Sequence, residues 1–327
     1  MTLEVSKTVT LPVTPDEAFT LITEPERLRR WHAISARVDL RVGGDYRWTI
    51  VPGQSAVGTF HEIEPGKRIV FGWGWDGQEG FGADTSTVRI TLTPVAGGTE
   101  LALHHTGFLT EEQVASHTEG WNHYLGRLEK VAETGDAGAD EWAATPREFT
   151  EITAADAALA VLQGVLRQLT AEDQPKQTPC EDFTCHDLAL HLFTSIEQLG
   201  GMAGATIVNP GVGSLENKVA VMAADAIEAW KARGLEGTIG GPGHEMPAAF
   251  AASILPVELL LHAWDMSQGS GKPIIASDEL VAYVAKLAEQ IVPGGRGRTF
   301  ADEIPADVNA SALDRLAAFA GRTPIAS

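Results

Sequence analysis

The sequence predicts an α+β protein of two domains, an antiparallel sheet closed by a long helix and then an all-α bundle. Three observations lead there. The chain has 327 residues, about twice the roughly 150 residues of a typical domain. Apolar and polar residues alternate in short runs over residues 1–135, whereas from residue 150 to 327 the apolar residues recur at helical spacing. Between these regimes, residues 136–149 (DAGADEWAATPREF) mix small, acidic and proline residues without a period, as a linker does.

In the first domain the alternation predicts strands at 3–11, 36–42, 45–51, 56–63, 67–75, 85–94 and 98–106. Gly43-Gly44, Pro65-Gly66 and Gly97-Gly98 supply the reversals between them. Thr14-Pro15-Asp16-Glu17 places an N-cap, a first-turn proline and an acid before an apolar run, and Thr110-Glu111-Glu112-Gln113 opens a helix reaching about Glu133. Val114, Trp121, Leu125, Leu128 and Val131 share one face of that helix. A half-buried sheet must cover its apolar face, and this helix is the one element large enough to do so. In the second domain helices are predicted at 154–170, 184–203, 214–233, 247–269, 278–291 and 311–320. Thr184 with Asp187, and Ser277 before Asp278-Glu279, are the capping signals. Pro256 either kinks its helix or marks the start of it.

Lys and Arg number 24 against 44 Asp and Glu, a net charge of −20. Such a surface repels polyanions, which excludes nucleic acid as a partner. The two cysteines, Cys180 and Cys185, are too few for a disulfide framework and do not form CxxC, which suits a reducing cytoplasm and a packing role. The opening MTLEVSKTVT lacks the basic and apolar regions of a signal peptide. The longest apolar stretch, 247–264, carries Pro256, Glu258 and His262, so it predicts a buried bundle helix and no membrane partner. The sequence contains no Ser-His-Asp array, phosphate-cradling loop or dinucleotide fingerprint.

The segments PDEAFTLITEPERLRRW, VDLRVGGDYRW, GTFHEIEPGKRIVFGWGW, STVRITLTPVAGGTELALHHTGF and HTEGWNHYLGRLEK resemble the SRPBCC (START-like) superfamily, in particular the subgroup named for the heat-shock ATPase activator. The resemblance covers about residues 1–134. It implies a helix-grip fold, a curved antiparallel sheet around a long C-terminal helix with a pocket between them for a small apolar or aromatic molecule. Trp31, Trp48, Phe71, Trp73, Trp75, Trp121 and Tyr124 are the candidates for lining that pocket, or for simply filling the core. His104 and His105 are strand neighbours and must face opposite ways, so they cannot act as a pair.

TPCEDFTCHDLALHLF and ELLLHAWDMSQGSGKP, with the ending FADEIPADVNASALDRLAAFAGRTP, resemble the DinB-like superfamily in its actinobacterial branch related to mycothiol-dependent maleylpyruvate isomerase. That resemblance implies a four-helix bundle in which His191, Glu258 and His262 bind a divalent metal. Glu258 and His262, four residues apart, project from one helical face. Taken alone they fit a buried hydrogen-bonded pair as well as a metal site. Two imidazoles, one carboxylate and an open fourth position suit zinc. Asp265, three residues beyond His262, can orient that imidazole through its second nitrogen. Asp187 is expected at a helix start, not in the site. The isomerase has a further C-terminal domain that finds no counterpart here, so its own reaction is not carried over. The function expected is that of a metal-dependent transferase or isomerase using mycothiol or another low-molecular-weight thiol on a small electrophile. The alternative is a non-enzymatic binder of a small apolar ligand, or a regulatory protein, with a vestigial metal site. The catalytic residues beyond the ligands and the oligomeric state are left open.

Overall fold

The computed structural model describes residues 3–325 and divides into two compact units, Met1–Gly138 and Ala139–Ser327. Residues 1–2 and 326–327, the outer ends of the expected domains, lie outside the described residues.

The first unit runs β1 (Glu4–Leu11), α1 (Pro15–Thr23), α2 (Pro25–Leu28), β2 (Ser35–Val38), β3 (Asp45–Val51), β4 (Gln54–Glu64), β5 (Arg68–Trp75), β6 (Ser86–Val95), β7 (Gly98–Thr106) and α3 (Glu111–Thr134). The strands form one antiparallel sheet in the order β1-β7-β6-β5-β4-β3-β2. β2 to β7 are a meander, and β1 closes on β7 with Glu4 opposite Thr106 and Leu11 opposite Thr99. β2 ends at Val38, short of the expected 42, because Asp39 N donates to Asp45 O and Gly44 N to Arg41 O, which tightens the polar stretch into a turn. Thr14 and Thr110 cap α1 and α3 by accepting from Glu17 N and Gln113 N. The buried face of α3 carries His117, Trp121, Tyr124, Leu125, Leu128 and Val131. Along β5, Phe71 and Trp73 point into the interior, while the alternate Gly72 and Gly74 face the loop that follows. A Cβ on Gly74 would overlap the Gly82 backbone, so glycine is what lets that loop lie against the strand.

A chain of polar groups crosses this interior. Trp121 Nε1 donates to His105 Nδ1 (3.1 Å), so the proton of His105 sits on Nε2 and is shared with Ser86 Oγ (2.8 Å), which donates to Trp73 O (3.0 Å). Trp73 Nε1 donates to His117 Nε2 (3.2 Å), whose Nδ1 faces Gln113 O (2.8 Å). His105 is wholly buried while its strand neighbour His104 is exposed. Burial and then the nearby His117 push the His105 pKa down to about 2, and burial followed by His123 pushes that of His32 down to about 3.

The second unit contains α4 (Glu141–Ala144), α5 (Glu151–Leu166), α6 (Cys185–Met202), α7 (Leu215–Arg233), β8 (Thr238–Ile239), β9 (Met246–Pro247), α8 (Ala248–Ser270), α9 (Asp278–Gly295) and α10 (Ala312–Phe319). α5 and α6 each pack against both α7 and α8. α5 occupies Glu151–Leu166 where 154–170 is expected and α9 runs to Gly295, beyond the expected 291, and two further features differ from the sequence reading. The stretch 136–149 is not all irregular, since Asp140 Oδ1 accepts from Trp142 N and starts the single turn α4, which packs on α5. The unit also holds the two-stranded β8–β9 pair, formed where Gly240 to Gly243 let the chain reverse. Pro256 lies inside α8 and does not begin it. α8 is long and apolar enough to cross a membrane by length and composition, and most of it is buried within the second unit.

The buried histidines set a pH dependence for the first unit. Their folded pKa values lie below the ordinary 6.5, so the unfolded chain takes up protons that the folded one refuses, and stability falls as pH drops below 6.5. Between pH 7 and 5, above the carboxylate range, His32 and His105 should each cost the first unit about 2 kcal/mol. Hydrogen exchange of the slowest β6 and β7 amides, corrected for intrinsic rates, measures this; a flat profile over that window rules it out.

Candidate functional site

In the second unit the site is built from the starts of two helices outward. Thr184 Oγ1 accepts from Asp187 N (3.2 Å) while Asp187 Oδ2 accepts from Thr184 N (3.1 Å), a reciprocal cap that fixes where α6 begins and hence which way His191 points. On α8, Glu258 and His262 stand one turn apart. His191 Nε2 lies 3.1 Å and His262 Nε2 3.2 Å from the same atom, Glu258 Oε1, and the two rings meet edge-on at 5.1 Å. The three donor atoms fall within 4.8 Å of one another. A tetrahedron with bonds of ~2.0 Å has edges of about 3.3 Å, so both contacts to Glu258 match the spacing of ligands around one cation. Without a cation, the carboxylate accepts hydrogen bonds from the rings over the same distances.

Access to the trio is graded: the side chains are 5% exposed at His262, 19% at Glu258 and 36% at His191, so solvent reaches it from the α6 side. Phe183 stacks on the His191 ring at 5.1 Å and Ser195 Oγ lies 3.2 Å from its Nε2. Burial is the largest influence on Glu258 and opposes its charge, yet His262 and the hydrogen bonds from His191, His262 and Ser195 outweigh it and hold the carboxyl well below its ordinary range. Burial likewise opposes charge on His262, and Glu258 with Asp265 overcomes it, raising that pKa well above the ordinary value.

Behind His262 lies a fully buried brace. Asp265, with no exposed surface, takes the His262 Nδ1 hydrogen bond at 2.9 Å. Both its oxygens are 3.1 Å from Arg322 Nε, and Cys180 Sγ donates to Oδ2 at 3.3 Å. Arg322 reaches this point because α10 is locked to α8: Asp314, part of the Ser311 capping box, also accepts from Trp264 Nε1 at 2.8 Å. Gly321, at φ +81°, then turns the chain where a Cβ would strike the Ala301 backbone. Asp265 thus touches the ring nitrogen of His262 that faces away from Glu258. Cys180, expected only to pack, lies beside His262. Arg322, 57 residues beyond Asp265, carried no periodic signal and was missed.

In the first unit, Trp31, Trp48, Phe71, Trp73, Trp121 and Tyr124 are buried and Trp75 is half-buried. Most of them surround a residue that the sequence reading did not single out. His32 stacks on Trp31 at 4.6 Å and contacts the rings of Trp48, Trp73, Trp121 and Tyr124 at 5.6, 6.1, 5.5 and 4.8 Å. Trp31 Nε1 donates to Leu21 O, and those of Trp73 and Trp121 to histidines, but His32 Nδ1 and Trp48 Nε1 are buried without a partner.

The brace yields a stability prediction. Arg322→Met strips the counter-charge from a fully buried carboxylate and should destabilise the second unit by about 3 kcal/mol, whereas adding Asp265→Asn should recover much of that loss. Urea unfolding followed by far-ultraviolet circular dichroism measures both; additive losses in the double variant would show that the two side chains are not coupled.

Comparison with known proteins places the first unit. Residues 12–133 match the model of the family described as Activator of Hsp90 ATPase homolog 1-like protein. A solved AHSA1-like protein of Rhizobium etli, RHE_CH02687, is 35% identical over 45% of this chain and 91% of its own, with a TM-score of 0.36. The protein MLL2253 of Mesorhizobium loti is 22% identical over 41% and 98%, with a TM-score of 0.38. An uncharacterized protein of Mycobacterium tuberculosis, Rv0738, is 31% identical over 168 residues, 49% of this chain and 90% of that protein. That stretch is longer than the first unit and so reaches into the second. The chain thus belongs to the family of this mycobacterial protein, and its first unit is an AHSA1-like domain of SRPBCC type.

Proposed function

We propose that the second unit is a DinB-like bundle that holds one divalent cation, zinc by its donor set, on His191, Glu258 and His262, and serves thiol-dependent chemistry on a small electrophile. The observation that carries this reading is the convergence of two imidazole nitrogens on one carboxylate oxygen, on a side open to solvent. Glu258, flanked on α8 by apolar Val257 and Leu259, is paired with His191 and His262, and a divalent cation held on the same atoms would compensate its charge. When bound, such a cation supplies the Lewis acidity that keeps mycothiol or another low-molecular-weight thiol ionised near neutral pH. The chain's own residues do the rest. Asp265 fixes the His262 ring by its Nδ1, Arg322 keeps Asp265 ionised, and Phe183 holds the plane of His191. The first unit binds a small apolar or aromatic molecule among its buried rings.

A second reading, a non-enzymatic ligand-binding protein whose trio is vestigial, is favoured by the unpaired His32 and Trp48 nitrogens inside an AHSA1-like domain. Metal analysis of protein purified without added zinc separates the two. Close to one divalent ion per chain is expected in the parent, with loss in both His191→Ala and His262→Ala; a folded parent without metal overturns the site. Thiol consumption with a panel of enones and epoxides tests turnover separately. Activity that falls at least tenfold in Glu258→Gln is expected, and metal-loaded protein inert to every electrophile leaves the binding reading.

A further inference from the structure

Behind the trio, a second group of three donor atoms converges on the other nitrogen of the same imidazole. Cys180 Sγ, His262 Nδ1 and Asp265 Oδ2 lie within 4.8 Å of one another, and Oδ2 is 3.3 Å from the thiol and 2.9 Å from the ring. Bonds of about 2.3 Å to sulfur and about 2.0 Å to oxygen or nitrogen place S and O about 3.5 Å apart, and N and O about 3.3 Å apart, around one tetrahedral cation. The two contacts are shorter than these edges by less than about half an ångström, which side-chain torsions absorb. The thiol is delivered by a loop that ties itself together. Gln177 Nε2 faces the carbonyls of Cys180, Glu181 and Phe183 at 3.1, 3.0 and 2.9 Å, Cys180 N donates to Thr178 Oγ1 at 3.3 Å, and Thr178 Oγ1 donates to Phe183 O at 2.7 Å. Sγ is thus placed before any cation arrives. His262 and Asp265 are buried and Cys180 is half-buried, so the sulfur side is the entry and the place where water supplies a fourth ligand.

We propose that Cys180, His262 and Asp265 form a second, inner seat for a thiophilic divalent cation, in competition with the His191–Glu258–His262 seat. The competition arises because a neutral imidazole has one nitrogen lone pair, offered either by Nδ1 inward or by Nε2 outward. The inner seat goes beyond the proposed function and shares only His262 with it. Its sulfur donor favours softer cations than a set of two imidazoles and a carboxylate does. Arg322 is the obstacle, since its Nε is 3.1 Å from both Asp265 oxygens. The charges nevertheless balance, because a Cys180 thiolate with Asp265 and Glu258 matches a divalent cation with the guanidinium. The cation takes the places of Sγ–H and Nδ1–H on Oδ2, while Arg322 keeps Oδ1. The thiol proton passes to solvent, and the ring carries its remaining hydrogen on Nε2, 3.2 Å from Glu258 Oε1. Cys185 is no substitute: it is buried beneath Gly269, one turn along α8 from Asp265, and enters neither donor cluster among the described residues.

Titration of the metal-stripped full chain with cadmium tests this. One cadmium per chain is expected, with an ultraviolet thiolate-to-cadmium charge-transfer band and, in isotopically enriched samples, scalar coupling between cadmium and His262 Nδ1. Cys180→Ser should abolish the band and weaken binding by roughly tenfold or more. Cys185→Ser and His191→Ala should leave the band in place and the affinity within about threefold of the parent, and cadmium added to the zinc-loaded chain should release zinc one for one. The Nδ1 coupling in the parent decides the matter even where a variant does not fold. Cadmium bound without the band, a band that depends on Cys185 in place of Cys180, or coupling to Nε2 overturns the inner seat. Zinc retained beside cadmium bound at Nδ1 overturns the competition. A chain that takes no zinc yet shows the cadmium band and the Nδ1 coupling rejects the His191–Glu258–His262 site alone, and a chain that takes zinc but shows neither signal rejects the inner seat alone.

Discussion

A carboxylate without contact to solvent is the constraint around which the second unit is arranged. Asp265 must be charged to hold Arg322 and must be held by Arg322 to be charged, and this mutual dependence ties α8 to the segment after α10. Ionised, it accepts the His262 Nδ1–H and so sends the other nitrogen toward Glu258. The Trp264–Asp314 bond and the cap at Ser311 then read as support for delivering one guanidinium to one place. The orientation of a single imidazole is thus set by contacts from the far end of the chain, and Cys180, sharing the same carboxylate oxygen, adds the segment before α6 to that brace.

The first unit solves the same problem of buried polarity in a neutral way. Histidines lie among its aromatic rings, and burial strips them of charge instead of pairing them with acids. Where the network closes, as in Trp121–His105–Ser86, each group has a defined donor or acceptor role. His32 and Trp48 stand outside that closure. The two units therefore place different chemistry in their interiors, charge-assisted bonds about a site open to solvent in one and neutral hydrogen bonds among stacked rings in the other. The strongly acidic composition expresses itself elsewhere, on the exposed side chains.

Much of the architecture was legible in the chain because it follows from local rules. Alternation located the seven strands of the first sheet, since period-2 patterning is what a half-buried strand needs, and threonine caps located α1, α3 and α6. The departures arose where the pattern is too short to have a period: one turn at Glu141–Ala144, two residues in each of β8 and β9, and a strand truncated by the turn beginning at Asp39.

The sequence by itself determined the longer strands and helices and the facing of Glu258 and His262 on one helix, because spacing along a helix or strand decides these. Tertiary structure alone decided that His191 meets that pair, that Arg322 and Cys180 converge on Asp265, and that His32 sits among five aromatic rings with its Nδ1 unpaired. Those are contacts between segments tens of residues apart. They depend on how helices and strands pack, which no local period encodes.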